Sequence, residues 1–162
     1  MRHKILVVGL GNILLRDEGI GVRAVQILKD RFRFIPGIEI VDGGTLGLDL
    51  LPLLEKRDGV LFVDAVDFGG KPGYIGEIEG DGIPSKLQMK LSVHHVGLSD
   101  LLLAATWMDM KPERICLIGI QPESVDVGIE MTERIKGKTK ELLGRAIAKL
   151  EGWGVTSVRL LP

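Results

Sequence analysis

Three side chains that lie far apart in the sequence have the chemistry needed to hold a divalent cation. They are the carboxylates of Glu18 and Asp64 and the imidazole of His94. Carboxylate oxygens together with an imidazole nitrogen suit a borderline ion such as zinc, nickel or iron, with coordination positions left open for water or substrate. Because no short spacing motif links the three residues, this hypothesis requires a fold that brings them together.

Two aspartates each follow an apolar run that predicts a buried strand. Asp42 follows residues 38–41, and Asp64 follows residues 60–63. The carboxyl ends of parallel strands meet at one edge of a sheet, where ligands bind in open α/β folds. One such aspartate is commonly a turn former. Two of them, facing an acidic loop from the first strand, favour a shared functional site.

The loop after the first predicted strand contains both glycines and acids, which suggest different ligands. Gly9 and Gly11 resemble the start of a dinucleotide-binding fingerprint, but Leu14 occupies the third glycine position. Asp17 and Glu18 fall at the predicted start of a helix, where they would repel a phosphate. One acid is enough to cap that helix or to interact with its dipole, which leaves the other free. We therefore favour a cation over a nucleotide, and the glycines also fit close strand–helix contact.

The hydrophobic pattern indicates strands that alternate with helices, which is typical of an α/β fold with parallel pairing. Residues 74–79 alternate after a glycine-rich turn and predict an antiparallel strand at one edge. The remaining predicted elements are strands at 5–8, 38–41, 60–63 and 115–120, helices at 22–32, 46–56, 98–110 and 132–152, and a tail at 155–161 with short β character. The chain is thus predicted to be one domain, 1–162, with a mostly parallel sheet of about five strands.

Composition narrows the possible environments and partners. The formal net charge is −1, and no run is long enough to span a bilayer, so we expect neither a nucleic-acid partner nor a membrane. The single cysteine, Cys116, excludes an internal disulfide and fits a reducing compartment. We therefore expect a soluble cytoplasmic domain.

Five motifs, in order along nearly the whole chain, resemble the maturation endopeptidases of nickel–iron hydrogenases. They are Gly9-Leu-Gly-Asn-Ile-Leu-Leu-Arg-Asp-Glu-Gly-Ile-Gly-Val22, Asp42-Gly-Gly-Thr45, Asp64-Ala65, His94-His-Val-Gly-Leu-Ser-Asp100 and Gly119-Ile-Gln-Pro-Glu123. The resemblance implies a twisted, mostly parallel sheet with helices on both faces. It also implies that Glu18, Asp64 and His94 bind the metal and form the catalytic site. Asp42 would recognise the substrate, and Asp17 would have a structural role.

The resemblance further implies an activity, a partner and a source of metal. The expected enzyme removes a C-terminal extension from the hydrogenase large-subunit precursor after nickel insertion. The nickel would be carried by that substrate, with no permanent metal on the enzyme, although zinc or cadmium could occupy the same site in vitro. Two alternatives remain open: a non-catalytic nickel-sensing chaperone module for the precursor and, less favoured, a nucleotide-binding protein.

Overall fold

The computed structural model describes residues 4–83 and 93–161, leaving aside the side chains of residues 93–96. Short 3₁₀ turns at Arg16–Gly19 and Gly47–Leu50 precede the first two helices. The elements in chain order are β1 (Ile5–Leu10), α1 (Ile20–Arg31), β2 (Phe32–Ile35), β3 (Glu39–Gly44), α2 (Leu51–Leu54), β4 (Gly59–Ala65), β5 (Ile75–Glu79), α3 (Val93–Trp107), β6 (Arg114–Ile120), α4 (Glu133–Gly152) and β7 (Thr156–Arg159).

The main sheet has five strands in the order β3-β1-β4-β6-β5. The first four are parallel, and β5 pairs antiparallel with β6 at the edge. Every residue of β1 and β4 is buried, as expected for parallel strands covered on both faces. The predicted fold class, a mostly parallel five-stranded sheet with one antiparallel edge strand, is confirmed.

Alternate residues of the central strands face two separate apolar cores. Val7 and Leu61 belong to the core that contains the buried residues of α1 and α4. Leu6 and Phe62 belong to the other core, which contains the buried residues of α2 and α3. Helices therefore cover both faces of the sheet, as predicted.

The helix predicted at 46–56 is much shorter in the structure. The chain forms the 3₁₀ turn Gly47–Leu50 and then only one turn of α-helix, Leu51–Leu54. Pro52 has no backbone N–H and so cannot continue a helix that began a full turn earlier. The prediction was right about helical character here and wrong about the length of the helix.

Two other boundaries differ from the prediction. Helix α3 includes Val93–Trp107 instead of beginning near Leu98, so His94 lies in the helix and not ahead of it. Phe32 fits the helical spacing but begins strand β2, which pairs antiparallel with β7 and was not predicted. Residues before proline disfavour the helical conformation, and Ile35 precedes Pro36, so an extended segment is favoured here.

An ion-pair network joins α4 to the edge strand β5. Lys149 binds both Glu77 and Glu79, and the Arg145 guanidinium lies 3.1 Å from Glu77 Oε1. Among the described residues, Glu77, Glu79 and Cys116 have potential metal-ligating atoms within 4.8 Å of one another. Since Lys149 already neutralises the glutamates and burial raises the pKa of Cys116 to about 12, this cluster stabilises the edge of the sheet.

Glu77→Gln is expected to weaken the fold at neutral pH but not in acid. Burial acts to raise the pKa of Glu77, but hydrogen bonds from Lys149 and Arg145 outweigh burial and lower it. The ionised group therefore stabilises the fold above its ordinary pKa of 4.5, and this contribution is lost as the pH falls below that value. We expect a loss of about 0.5–1 kcal/mol at pH 7 and almost none at pH 3, measured by urea unfolding.

Glu113→Gln provides the matched control, because Glu113 is an exposed acid just before β6. It should leave the free energy of unfolding unchanged at both pH values. An equal loss for Glu77→Gln at pH 7 and pH 3 would show that the effect arises from packing and not from charge.

Candidate active site

The carboxyl ends of four parallel strands lie at one edge of the sheet, and three of them, β1, β3 and β4, border a cleft. Asp64 is the penultimate residue of β4, is almost fully buried, and is in register with Gly119 of β6. The cleft has a volume of about 160 Å³. It is lined by Leu10, Gly11, Gly44, Thr45, Gly47, Leu50, Asp64, Gly97, Leu98 and Leu101.

Glu18 lies on the 3₁₀ turn Arg16–Gly19, which packs against Gly11 at the end of β1; Gly11 and Asp64 line the cleft, and Glu18 itself does not. Gly11 has a φ of +125°, and a Cβ there would overlap the carbonyl oxygen of Glu18. The same Cβ would lie 3.5 Å from Oδ1 of Asp64. Gly11 therefore lies between the backbone of Glu18 and the carboxylate of Asp64, and no larger residue fits this position.

The other glycines of this loop allow equally close packing. A Cβ at Gly9 would overlap the Gly21 carbonyl oxygen of α1, and one at Gly21 would overlap the Val63 carbonyl oxygen of β4. Helix α1 therefore begins against two strands of the sheet. The interpretation of these glycines as residues for close strand–helix contact is confirmed.

The electrostatics of Glu18 and Asp64 favour a positive partner. Burial raises the pKa of Asp64 well above its usual value; a hydrogen bond from the Ala65 backbone opposes this, and the charge of Glu18 adds to the rise. Burial also raises the pKa of Glu18. Two neighbouring acids that are costly to ionise can bind a proton or a cation, and such shifts are common at functional sites.

The helix that carries His94 reaches the same cleft. Gly97, Leu98 and Leu101 of α3 line it, and His94 lies less than one turn before Gly97. The side chain of His94 lies outside the described residues. The structure thus brings Glu18 and Asp64 together and places the first turns of α3 beside them.

Asp42 lies at the end of β3, in register with Gly9 of β1. Its side chain is exposed, and its Oδ1 accepts a hydrogen bond of 2.9 Å from the Gly44 backbone N–H. Within the described part of the chain, Asp42 is not among the residues that line the cleft, although Gly44 and Thr45 are. Asp42 therefore shapes the turn at the rim of the cleft.

Asp17, the neighbour of Glu18, has a different environment. It is fully buried, and its carboxylate accepts backbone N–H bonds from Glu123, Ser124 and Thr132 at 2.7–3.0 Å. The Thr132 hydroxyl donates to the same carboxylate. Asp17 therefore ties the turn that carries Glu18 to the loop after β6, which supports the structural role expected for it.

The helix caps differ in part from the predictions. Gly19, and neither of the neighbouring acids, occupies the N-cap position of α1. Thr132 is the N-cap residue of α4, as predicted, and its carbonyl oxygen accepts the first helical bond from Lys136. Its hydroxyl, however, serves Asp17, 115 residues away in the sequence. Sequence spacing gives no signal for this pairing.

The fold is that of a peptidase class that acts in enzyme maturation. The chain belongs to the hydrogenase maturation protease family, whose sequence model matches residues 22–149. The hydrogenase 2 maturation protease of Escherichia coli K12 is 36% identical over 156 residues, which cover 96% of this chain and 95% of that protein. HupD of Rhodobacter capsulatus, a hydrogenase expression/formation protein, is 36% identical over 94% of this chain and 74% of its own length.

Solved structures agree with the sequence relatives. The hydrogenase maturating endopeptidase HybD of E. coli superposes with a TM-score of 0.91 at 36% identity, over 98% of each chain. The [NiFe] hydrogenase maturation protease HybD of Thermococcus kodakarensis superposes with a TM-score of 0.75 at 28% identity, over 93% of this chain and 99% of that one. The family indicated by the motifs and the peptidase class are both confirmed.

Among the helices in residues 4–83 and 93–161, none combines the length and the apolar character that spanning a membrane requires.

Proposed function

We propose that this protein is the endopeptidase that removes the C-terminal extension of a nickel-loaded hydrogenase large-subunit precursor. In this proposal, Glu18, Asp64 and His94 recognise the nickel of the substrate. The observation that carries it is the placement of Asp64, buried in a cleft beside the turn of Glu18, in a chain of the hydrogenase maturation protease family.

The acids of the cleft have properties suited to a metal that arrives with the substrate. Glu18 and Asp64 both have raised pKa values, so their carboxyl groups retain protons more readily than exposed acids do. An approaching divalent ion favours the ionised forms and displaces those protons. Oxygen ligands from two acids and a nitrogen from His94 would suit nickel in the precursor and would also accept zinc or cadmium in vitro.

The chain's residues would then hold the scissile peptide next to the nickel. The cleft is small, and it is lined mainly by glycines and aliphatic side chains, so it suits a short extended segment. Asp42, on the turn at its rim, is placed to contact the segment as it enters. Binding of the nickel by Glu18 and Asp64 would fix the position of the peptide and add specificity for precursors that have received their metal.

Processing is expected to depend on nickel in the substrate. The purified enzyme should shorten the nickel-loaded precursor by the mass of its C-terminal extension and act at least about a hundredfold more slowly on the nickel-free precursor, because removing nickel removes the group that orients the peptide. Intact-protein mass spectrometry of both precursors over time measures this. The matched control is the nickel-loaded product that already lacks the extension, whose mass should stay constant.

The same experiment tests the alternative function. A non-catalytic chaperone module would bind the nickel-loaded precursor without changing its mass. Equal cleavage of the nickel-loaded and nickel-free precursors would contradict nickel recognition while leaving the peptidase activity in place.

A further inference from the structure

The loop after β6 exposes aliphatic side chains beside the turn that carries Glu18. Val125, Val127 and Ile129 alternate along the loop and are 50%, 88% and 67% exposed. Ile13 and Leu14, on the loop after β1, are also exposed. We call these five side chains the apolar rim. Contiguous exposed aliphatic surface is uncommon on soluble proteins and commonly marks a binding surface.

The two loops of the apolar rim are joined by their backbones. Gly128 donates a hydrogen bond of 2.8 Å to the Leu14 carbonyl oxygen, and the Arg16 N–H donates one of 2.9 Å to the Gly128 carbonyl oxygen. On either side of this bridge, Ser124 and Thr132 donate to buried Asp17. The segment between them is therefore fixed at both ends and at its centre.

Two arginines fix two further carbonyl groups of the segment. Arg16 donates a hydrogen bond of 3.0 Å to the Glu130 carbonyl oxygen, and Arg23 donates one of 2.6 Å to that of Ile129. The backbone around Val127 and Ile129 is thus held by the protein, while these side chains stay in solvent. Such preorganisation favours binding, since little ordering remains to be done when a partner arrives.

The small size of the cleft indicates that a protein substrate must also be bound by surface outside it. A cleft of about 160 Å³ contacts only the scissile segment of a protein substrate. Binding of a folded substrate therefore has to come from surface outside the cleft, and the apolar rim is an exposed surface tied through Asp17 to the turn of Glu18. Exposed Asp126 and Glu130 alternate with its aliphatic side chains, which matches a partner face bordered by basic residues.

We propose that the apolar rim docks the folded body of the large-subunit precursor on an apolar face bordered by basic side chains. The C-terminal segment of the precursor would enter the cleft from this docked position. The inference rests on the proposed function, and it assigns Val127 and Ile129 to affinity for the substrate and not to bond cleavage.

The double substitution Val127→Ser/Ile129→Ser tests this inference. It should raise KM for the nickel-loaded precursor about tenfold or more and leave kcat within about twofold, because docking would remove both aliphatic side chains from water. The melting temperature should not fall, since both side chains are largely in solvent. Glu130→Lys should also raise KM, because it repels a basic border.

Trp107→Ser is the matched control. Trp107 is 85% exposed, like Val127, but lies at the other end of α3, about 15 Å along the helix from Gly97 at the cleft. It removes a large exposed apolar side chain and should leave KM unchanged. An unchanged KM in the double variant, or a loss confined to kcat, would overturn the docking role.

Two further measurements keep the inference separate from the proposed function. Biolayer interferometry of the uncleaved precursor on the immobilised full chain gives Kd without cleavage, and the double variant should raise Kd about tenfold even if the wild type cleaves nothing. Failure to cleave would refute the proposed function alone. Sedimentation velocity tests a second copy as occupant: a wild-type dimer that the double variant dissociates, with Kd for the precursor unchanged, would overturn the inference.

Discussion

Asp64→Asn is expected to abolish precursor processing and, at the same time, to raise the melting temperature of the protein. The amide keeps the shape of the side chain but cannot serve as an anionic ligand for nickel. Loss of even an outer-shell partner costs metal sites about 10–100-fold, so loss of a direct ligand should reduce processing at least about a hundredfold. Mass spectrometry of the nickel-loaded precursor measures this loss.

The stability gain follows from the pKa of Asp64. Burial raises this pKa well above its usual value of 3.8, so the ionised carboxylate disfavours the folded state. The folded chain binds the proton more tightly than the unfolded chain, and stability therefore falls as the pH rises from about 3.8 through the folded pKa. The asparagine side chain does not ionise, so the variant does not lose stability in this way as the pH rises. Its advantage in melting temperature should grow with pH, by about 2–4 °C for each kcal/mol gained.

Asp58→Asn is the matched control for this prediction. Asp58 immediately precedes β4, so it lies at the opposite end of that strand from Asp64, and it pairs with Lys4 in solvent. Its substitution should leave processing unchanged and should not raise the melting temperature. If Asp64→Asn processes the precursor within a few-fold of wild type, Asp64 is not a ligand of the substrate nickel.

The edge of the sheet at which the site lies could be predicted because short segments of the sequence indicate it. The runs before Asp42 and Asp64 are apolar, strand-length and followed by acids, and parallel pairing brings such ends together. The contact made by the side chain of Asp42 could not be predicted in the same way. Its Oδ1 accepts the Gly44 N–H, in a turn where Gly44 has a positive φ.

Strand β2 was missed because it depends on a distant partner. Strand β2 is stabilised by pairing with β7, more than 120 residues later, and Phe32 by itself fits the helix pattern equally well. The exposure of the apolar rim also depends on contacts between distant parts of the chain. Val125, Val127 and Ile129 alternate like a buried strand in the sequence, and only the contacts with Arg16 and Asp17 show that they remain exposed.

The different surroundings of the two adjacent acids could also be seen only in the structure. Asp17 and Glu18 follow one another, and the sequence assigned Glu18 to the metal only through a family resemblance. The 3₁₀ turn points the two carboxylates to different surroundings: Asp17 meets donors from the loop after β6, while Glu18 lies beside Asp64. Adjacent residues of one type can therefore have unrelated roles.

Asp17→Ala should accordingly destabilise the fold more than replacement of either site acid, Glu18→Gln or Asp64→Asn. It leaves the backbone N–H groups of Glu123, Ser124 and Thr132 and the Thr132 hydroxyl without their acceptor. Each buried donor left unsatisfied costs about 1–3 kcal/mol, so a total loss of about 3 kcal/mol or more is expected in urea unfolding. Because the loop that carries Val127 is released, KM for the precursor should rise as well.

Asp126→Ala removes an exposed acid from the same loop and should change the free energy of unfolding by about 0.5 kcal/mol or less. A double-mutant cycle with Thr132→Val separates the bond to Asp17 from other effects: the two substitutions should be clearly non-additive. Additive losses would mean that Asp17 stabilises the protein through some other contact. Glu18→Gln, one residue further on, should show the opposite pattern, with processing lost and stability retained, because its acid lies beside Asp64 and not among the donors of the loop.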